Sequence, residues 1–153
     1  MRILFKLTLF FFLFTNISNA DLIKPNTNLK PLDVLMIQLN SLKNNDTPYK
    51  DAGIEQSWEF AHPINKAFTG PLEKFKQMIY SDRYKILISH ENVKTVILKK
   101  SSKKFIYQVY VLSKDKKKYY YIWQIEKVNQ DGDFKDCWMT NGVSDPIYLG
   151  EII

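Results

Sequence analysis

The chain has 153 residues, a length that argues for one domain, and its 25% charged and 45% hydrophobic residues are ordinary globular values that exclude a disordered or fibrous chain. The formal charge is +6, but only Arg2 and Arg83 are arginines, and the lysines gather at Lys99–Lys100, Lys103–Lys104 and Lys114 to Lys118. Two solvated hairpin tips account for those clusters better than a nucleic-acid or lipid contact does, and without a continuous basic face no nucleic-acid partner is expected. The single cysteine, Cys137, excludes an intrachain disulfide framework, so the domain must be held by its core. Aromatic residues reach 14%, enough for a large core or an aromatic-lined cavity.

Residues 1–20 read as a secretory signal peptide. MRILFK is basic, Leu7 to Phe14 is apolar, and TNISNA ends with Ser18 and Ala20 at the small-residue positions before a cut. Cleavage is expected between Ala20 and Asp21. A spanning helix needs about 20 apolar residues, and Lys6 interrupts this run, so no stable membrane insertion is expected after cleavage. The expected location is the periplasm or the exterior, with residues 21–153 as one domain.

Pro31 suits a first helical position, and Leu32, Leu35, Met36, Leu39 and Leu42 follow at helical spacing on one face. LKNNDTPYK ends that helix. Asp51 is expected to cap the second helix, with Ile54, Trp58 and Ala61 along one face. Pro63 pushes His62 out of helical geometry and ends or bends the helix there. Thr69-Gly70-Pro71 predicts a restart, Thr69 capping and Pro71 at the first position, with Leu72, Phe75, Met78 and Ile79 as the third apolar stripe.

From Tyr84 the period changes to two. Strands are expected at Tyr84 to Ser89, Val93 to Leu98, Phe105 to Leu112, Tyr119 to Val128 and Phe134 to Thr140. In the third, Phe105, Tyr107, Val109 and Val111 share a face. In the fourth, Tyr119, Tyr121, Trp123 and Ile125 do. The predicted fold is α+β: three N-terminal helices packed on a curved, mainly antiparallel sheet of about five strands, cone-like and hollow.

NDTP at Asn45 to Pro48, DAGI at Asp51 to Ile54, WEFAHP at Trp58 to Pro63, TGPLEKF at Thr69 to Phe75 and CWMTNGV at Cys137 to Val143 occur in this order. The ensemble resembles domain-of-unknown-function family 4864 over about Val34 to Val143. The resemblance implies an exported bacterial protein, or one in an organelle lumen of a photosynthetic eukaryote. It also implies a cone fold similar to nuclear transport factor and the SnoaL-like polyketide cyclases. That family has no assigned activity, so no catalytic residue is carried over, and the fold does not choose a function.

Candidate chemistry is sparse. His62 is the side chain best suited to proton transfer; at a helix C-terminus its protonated form would be favoured and it would cap carbonyls. His90 reads as a turn residue. Without H-x-x-x-H or H-E-x-x-H spacing, no metal site is expected, nor any cofactor. Asp46, in its turn, either bonds local backbone or serves as a base. Cys137 is either a buried core thiol or a nucleophile needing a nearby cation. Trp58, Phe60, His62, Tyr84, Tyr121, Trp123 and Trp138 come from different elements and would line a ligand pocket if they converge.

Three functions follow. The first is a domain that binds a small apolar or aromatic ligand in its cone. The second is a homodimeric adaptor that uses the outer sheet face, because Ile106, Tyr110 and Leu112 make that face apolar too. The third is a small isomerase or cyclase with His62 or an Asp as base. The balance leans away from an enzyme.

Overall fold

The computed structural model describes residues 21–152, so the expected signal peptide and its cleavage point lie outside the described residues. Four helices come first: α1 Pro31–Lys43, α2 Ala52–Glu59, α3 Pro63–Thr69 and α4 Leu72–Ile79. Five strands follow: β1 Asn92–Lys100, β2 Lys104–Leu112, β3 Lys117–Lys127, β4 Trp138–Val143 and β5 Ile147–Glu151. The sheet is antiparallel and open, in the order β1-β2-β3-β4, with β5 also paired to β3. Irregularities at Ile97/Lys99, Lys118/Tyr119 and Gln124/Ile125 insert extra residues into the ladders. Such bulges bend and twist a strand, which curves the sheet around the helices. This is the α+β arrangement that the order of periodicities predicts.

Alternation along β2 and β3 sorts the side chains as expected. Tyr107, Val109, Val111, Tyr121, Trp123 and Ile125 face the helices and are buried. They meet Val34, Leu35, Leu39 and Leu42 of α1, and Ile54 and Phe60, in one core. Removing that apolar surface from water is the main force holding helices to sheet. A small second cluster joins Val128, Cys137 and Met139 beneath Phe134 at the β3–β4 turn. The lysine groups fall at the β1–β2 and β2–β3 turns, as read from the sequence.

Several elements differ from expectation, each for a local reason. Tyr84 to Ser89 is not a strand: Lys85–Leu87 is a single 3-10 turn, closed by the Leu87 and Ile88 amides on the Tyr84 and Lys85 carbonyls. Phe134 lies in the turn before β4, which begins at Trp138, and the fifth strand is instead Ile147–Glu151. On α1, Leu32 is exposed while Val34 and Gln38 turn inward, so the buried stripe is rotated from the leucine line. The His-Pro break is not only a break. Pro63 opens the added helix α3, which runs to Thr69, so Thr69 ends one helix instead of capping the next, and Pro71 sits at the N-cap of α4.

Asp51 does not cap α2 with its carboxylate. Its backbone is left-handed (φ 66°), and its side chain accepts from Tyr80 Oη instead. The capping role belongs to buried Asn45. Its Oδ1 accepts from Ile54 N at 3.0 Å, and its carbonyl accepts from Gly53 N at 2.8 Å. Two orphan donors of the first turn are thereby satisfied by a residue from the preceding turn. Gly53 sits hard against α1: a methyl group there would lie 2.0 Å from the Ser41 carbonyl oxygen.

Candidate functional site

A cavity of about 170 Å³ lies between the inner sheet face and the helices. Leu42, Phe75, Ile79, Leu87 and Ala61 give it apolar walls. The lining residues that keep some exposure are Asn65, Thr69, Met78, Tyr84, Gly142 and Val143, so its mouth lies between α3, α4 and the end of β4.

Its floor is a buried hydrogen-bond chain. Trp123 Nε1 donates to Thr140 Oγ1 at 2.9 Å. The threonine hydroxyl donates to Gln38 Oε1, and Gln38 Nε2 donates to the Ser57 carbonyl at 3.0 Å. An indole N–H can only donate and a carbonyl can only accept, so both ends of this chain fix its direction. Among the described residues no buried side-chain nitrogen or oxygen lacks a partner. A fully satisfied network of this kind rigidifies its surroundings. At the mouth, Asn65 Nδ2 donates to the Thr140 carbonyl at 3.2 Å, Thr69 Oγ1 to the Asn65 carbonyl at 3.0 Å, and Tyr84 Oη to the Val143 carbonyl at 3.1 Å.

Of the residues read from sequence as pocket-forming, Tyr84 and Trp123 line this cavity. Burial pushes the Tyr84 phenol up, and Asp145 adds to the shift. Tyr121 stacks 6.3 Å from Tyr84 but is itself fully buried, with its hydroxyl on the Arg83 carbonyl at 2.8 Å. Phe60 is fully buried in the core. Trp58 is half-buried against Phe75, ring centres 5.0 Å apart, with the Lys66 ammonium over its face. Trp138 is half-buried edge-on to Phe105 at 5.3 Å, beneath Lys127. These rings fill the core and its margins, outside the cavity lining.

His62 departs from its sequence reading in chemistry. It stands at the N-cap of α3, where its Nδ1 accepts from Ile64 N at 3.2 Å, and its own amide bonds the Thr140 carbonyl at 2.8 Å. An accepting Nδ1 requires the unprotonated ring. Burial holds its pKa below the usual histidine value, against the pull of Glu126 and of the Lys127 backbone. His62 is thus a neutral cap that ties α3 to β4, and it is absent from the cavity lining. His90 is buried as well, with Nδ1 at 2.8 Å from the Leu87 carbonyl.

Asp46 is exposed, and its Oδ1 accepts from Asn45 Nδ2 and from Asp51 N, so it organises the turn before α2. Cys137 is 2% exposed among Val128, Met139 and Phe134. Burial, then Asp136, pushes its thiol up, away from the thiolate a nucleophile needs. Among the described residues no group of His, Cys, Asp and Glu is placed to hold a metal ion. No described helix is long and apolar enough to cross a membrane.

Of the polar residues of the cavity, Gln38, Ser57, Asn65 and Thr140 carry no site signal in the sequence, and Thr69 reads there only as a helix cap. The one clue at Gln38 is to its burial, a polar residue beside Leu35, Leu39 and Leu42 on the first helix. Compared with family models, with curated proteins and with solved structures, the chain matches none of them.

Proposed function

We propose that this protein is an exported domain whose inner cavity binds a small apolar or aromatic molecule, about the size of one ring. The observation that carries the reading is the cavity itself, about 170 Å³, walled by aliphatic and aromatic groups above a neutral polar floor. A dry cavity of about 150 Å³ is known to hold benzene, while drug-sized ligands need about 300 Å³ or more. Among the described residues Tyr84 is the only titratable group in the lining, and its phenol, already protonated at neutral pH, is pushed further up by burial. A lining so poor in acids and bases supports binding over proton-transfer catalysis.

The test is an NMR titration with benzene, read at the Trp123 indole N–H. The wild type is expected to bind, and Ala61→Leu, which fills the cavity, to weaken binding at least about tenfold while the near-UV spectrum stays native. Unchanged affinity in a folded Ala61→Leu would sink the reading.

The leader and the family 4864 resemblance belong to the same proposal. The leader supports export to the periplasm or exterior, and the resemblance adds only a cone fold with no activity attached. Edman sequencing of the mature chain beginning anywhere but Asp21 would overturn the cleavage point.

A second reading rests on the outer sheet face. Val96, Tyr110, Leu112, Leu149 and Ile152, with Lys94 and Lys118, line a surface groove of about 330 Å³, and Leu98 of β1 and Ile147 of β5 are exposed as well. Monomeric proteins rarely leave a large apolar patch open, which favours a homodimer on that face. Sedimentation showing only monomer at high concentration would remove this reading.

A further inference from the structure

The hydrogen-bond inventory of the cavity says more than its size, if the ring-binding reading above holds. Every hydroxyl and indole proton in the lining is directed at the protein. Trp123 Nε1 donates to Thr140, and Thr140 to Gln38. Thr69 donates to the Asn65 carbonyl, and Tyr84 to the Val143 carbonyl. Ser57 Oγ donates to the Gln38 carbonyl across 3.5 Å. Carbonyl acceptors fix these directions, and they also fix the amide of Asn65, whose Nδ2 must face the Thr140 carbonyl. With Nδ2 committed to that carbonyl, Oδ1 is left as the amide's acceptor.

What the lining offers a guest is therefore mainly oxygen lone pairs, on Asn65 Oδ1, Tyr84 Oη, Thr69 Oγ1 and Ser57 Oγ. The counterweight is the second hydrogen of the Asn65 and Gln38 amides. Asn65, Thr69 and Tyr84 stand half-exposed at the mouth, while Leu42, Phe75 and Leu87 line the buried interior. Among the described residues no lysine, arginine or histidine lines the cavity, so an anion would enter without a counter-charge from them.

We infer that the cavity selects neutral single-ring molecules that carry a hydrogen-bond donor, of the phenol class, and rejects carboxylates of the same size. A donor group meets a waiting acceptor at the mouth, whereas an ether of similar shape can donate nothing and a carboxylate must shed its water against other oxygens.

The experiment titrates the wild-type protein with benzene, phenol, anisole and benzoate at pH 7, each read at the Trp123 indole N–H. Phenol is expected to bind about tenfold tighter than benzene or anisole, with benzoate weakest. Anisole equal to phenol, or benzoate tighter than phenol, would overturn the donor preference while leaving ring binding intact. Failure of all four to bind would remove the ring-binding reading and this inference with it.

Discussion

The two helical corners of this molecule are built in opposite ways. At the α1–α2 corner the backbones touch: Gly53 has no room for a methyl group beneath Ser41, and Asn45 bonds two amides of the α2 first turn from inside the seam. At the α3–α4 corner the packing is incomplete. α3 buries none of its residues, Phe68 is 87% exposed, and the cavity opens beside it. The first corner closes the core and the second leaves space in it. A fold of this size can keep a hollow because another seam supplies the rigidity.

The largest expected effect tests the tight corner. Gly53→Ala must push α1 and α2 apart or displace the Ser41 carbonyl, because the clash is with backbone. A loss of about 3 kcal/mol is expected in urea unfolding. If alanine is accepted there with no measurable loss, the two corners are not different in kind.

Acid should separate the corners next. The folded-state pKa of His62 lies below its unfolded 6.5. The unfolded chain therefore takes up the proton first, and His62's contribution is complete above 6.5 and fades as pH falls from there toward the folded value. His90 shifts in the same direction and adds to the slope. Asp51 is lowered too, chiefly by the Tyr80 hydrogen bond, and its contribution fades only below 3.8. Protection of the Ile64 amide, whose acceptor is His62 Nδ1, should accordingly drop before that of the Ile54 amide, held by Asn45. His62→Asn keeps a capping acceptor and should flatten the acid limb of the Ile64 profile. The same limb in the variant would assign the effect to His90 or elsewhere.

The smallest effect tests the loose corner. Phe68→Ser removes a ring that is already in water, so stability should change by less than about 0.5 kcal/mol. A large loss by thermal unfolding would mean that α3 is packed after all.

What could be read from the chain follows the same division. Long alternating strands are legible because one face is buried and the other is not, and β2 and β3 obey this along their length. Short elements are not. Tyr84 to Ser89 alternates well enough to pass for a strand, yet it lies off the sheet as a 3-10 turn. The Asn45 cap escaped because it acts across nine positions, while Asp51 stands at the helix start with the better local credentials. The aromatic pocket was the natural inference from so many rings. Most of those rings instead fill the core, where their area counts most; Tyr84 and Trp123 do line the hollow, beside polar groups that composition cannot flag.

The free margin of β1 has its own consequence. Among the described residues this strand is bonded to β2 alone, and it carries Val96, Ile97 and Leu98, each 40% exposed or more. An unpaired ladder with an apolar triplet is a template on which copies can zip into fibrils. Lys94, Lys99, Lys100 and the irregularity at Leu98 guard against that by charge and by twist. Salt shortens the range of like-charge repulsion to about 3 Å at 1 M. Fibril growth followed by thioflavin fluorescence is therefore expected to be faster in 1 M salt than at low ionic strength, and equal rates would show that the lysines are not what guards this edge.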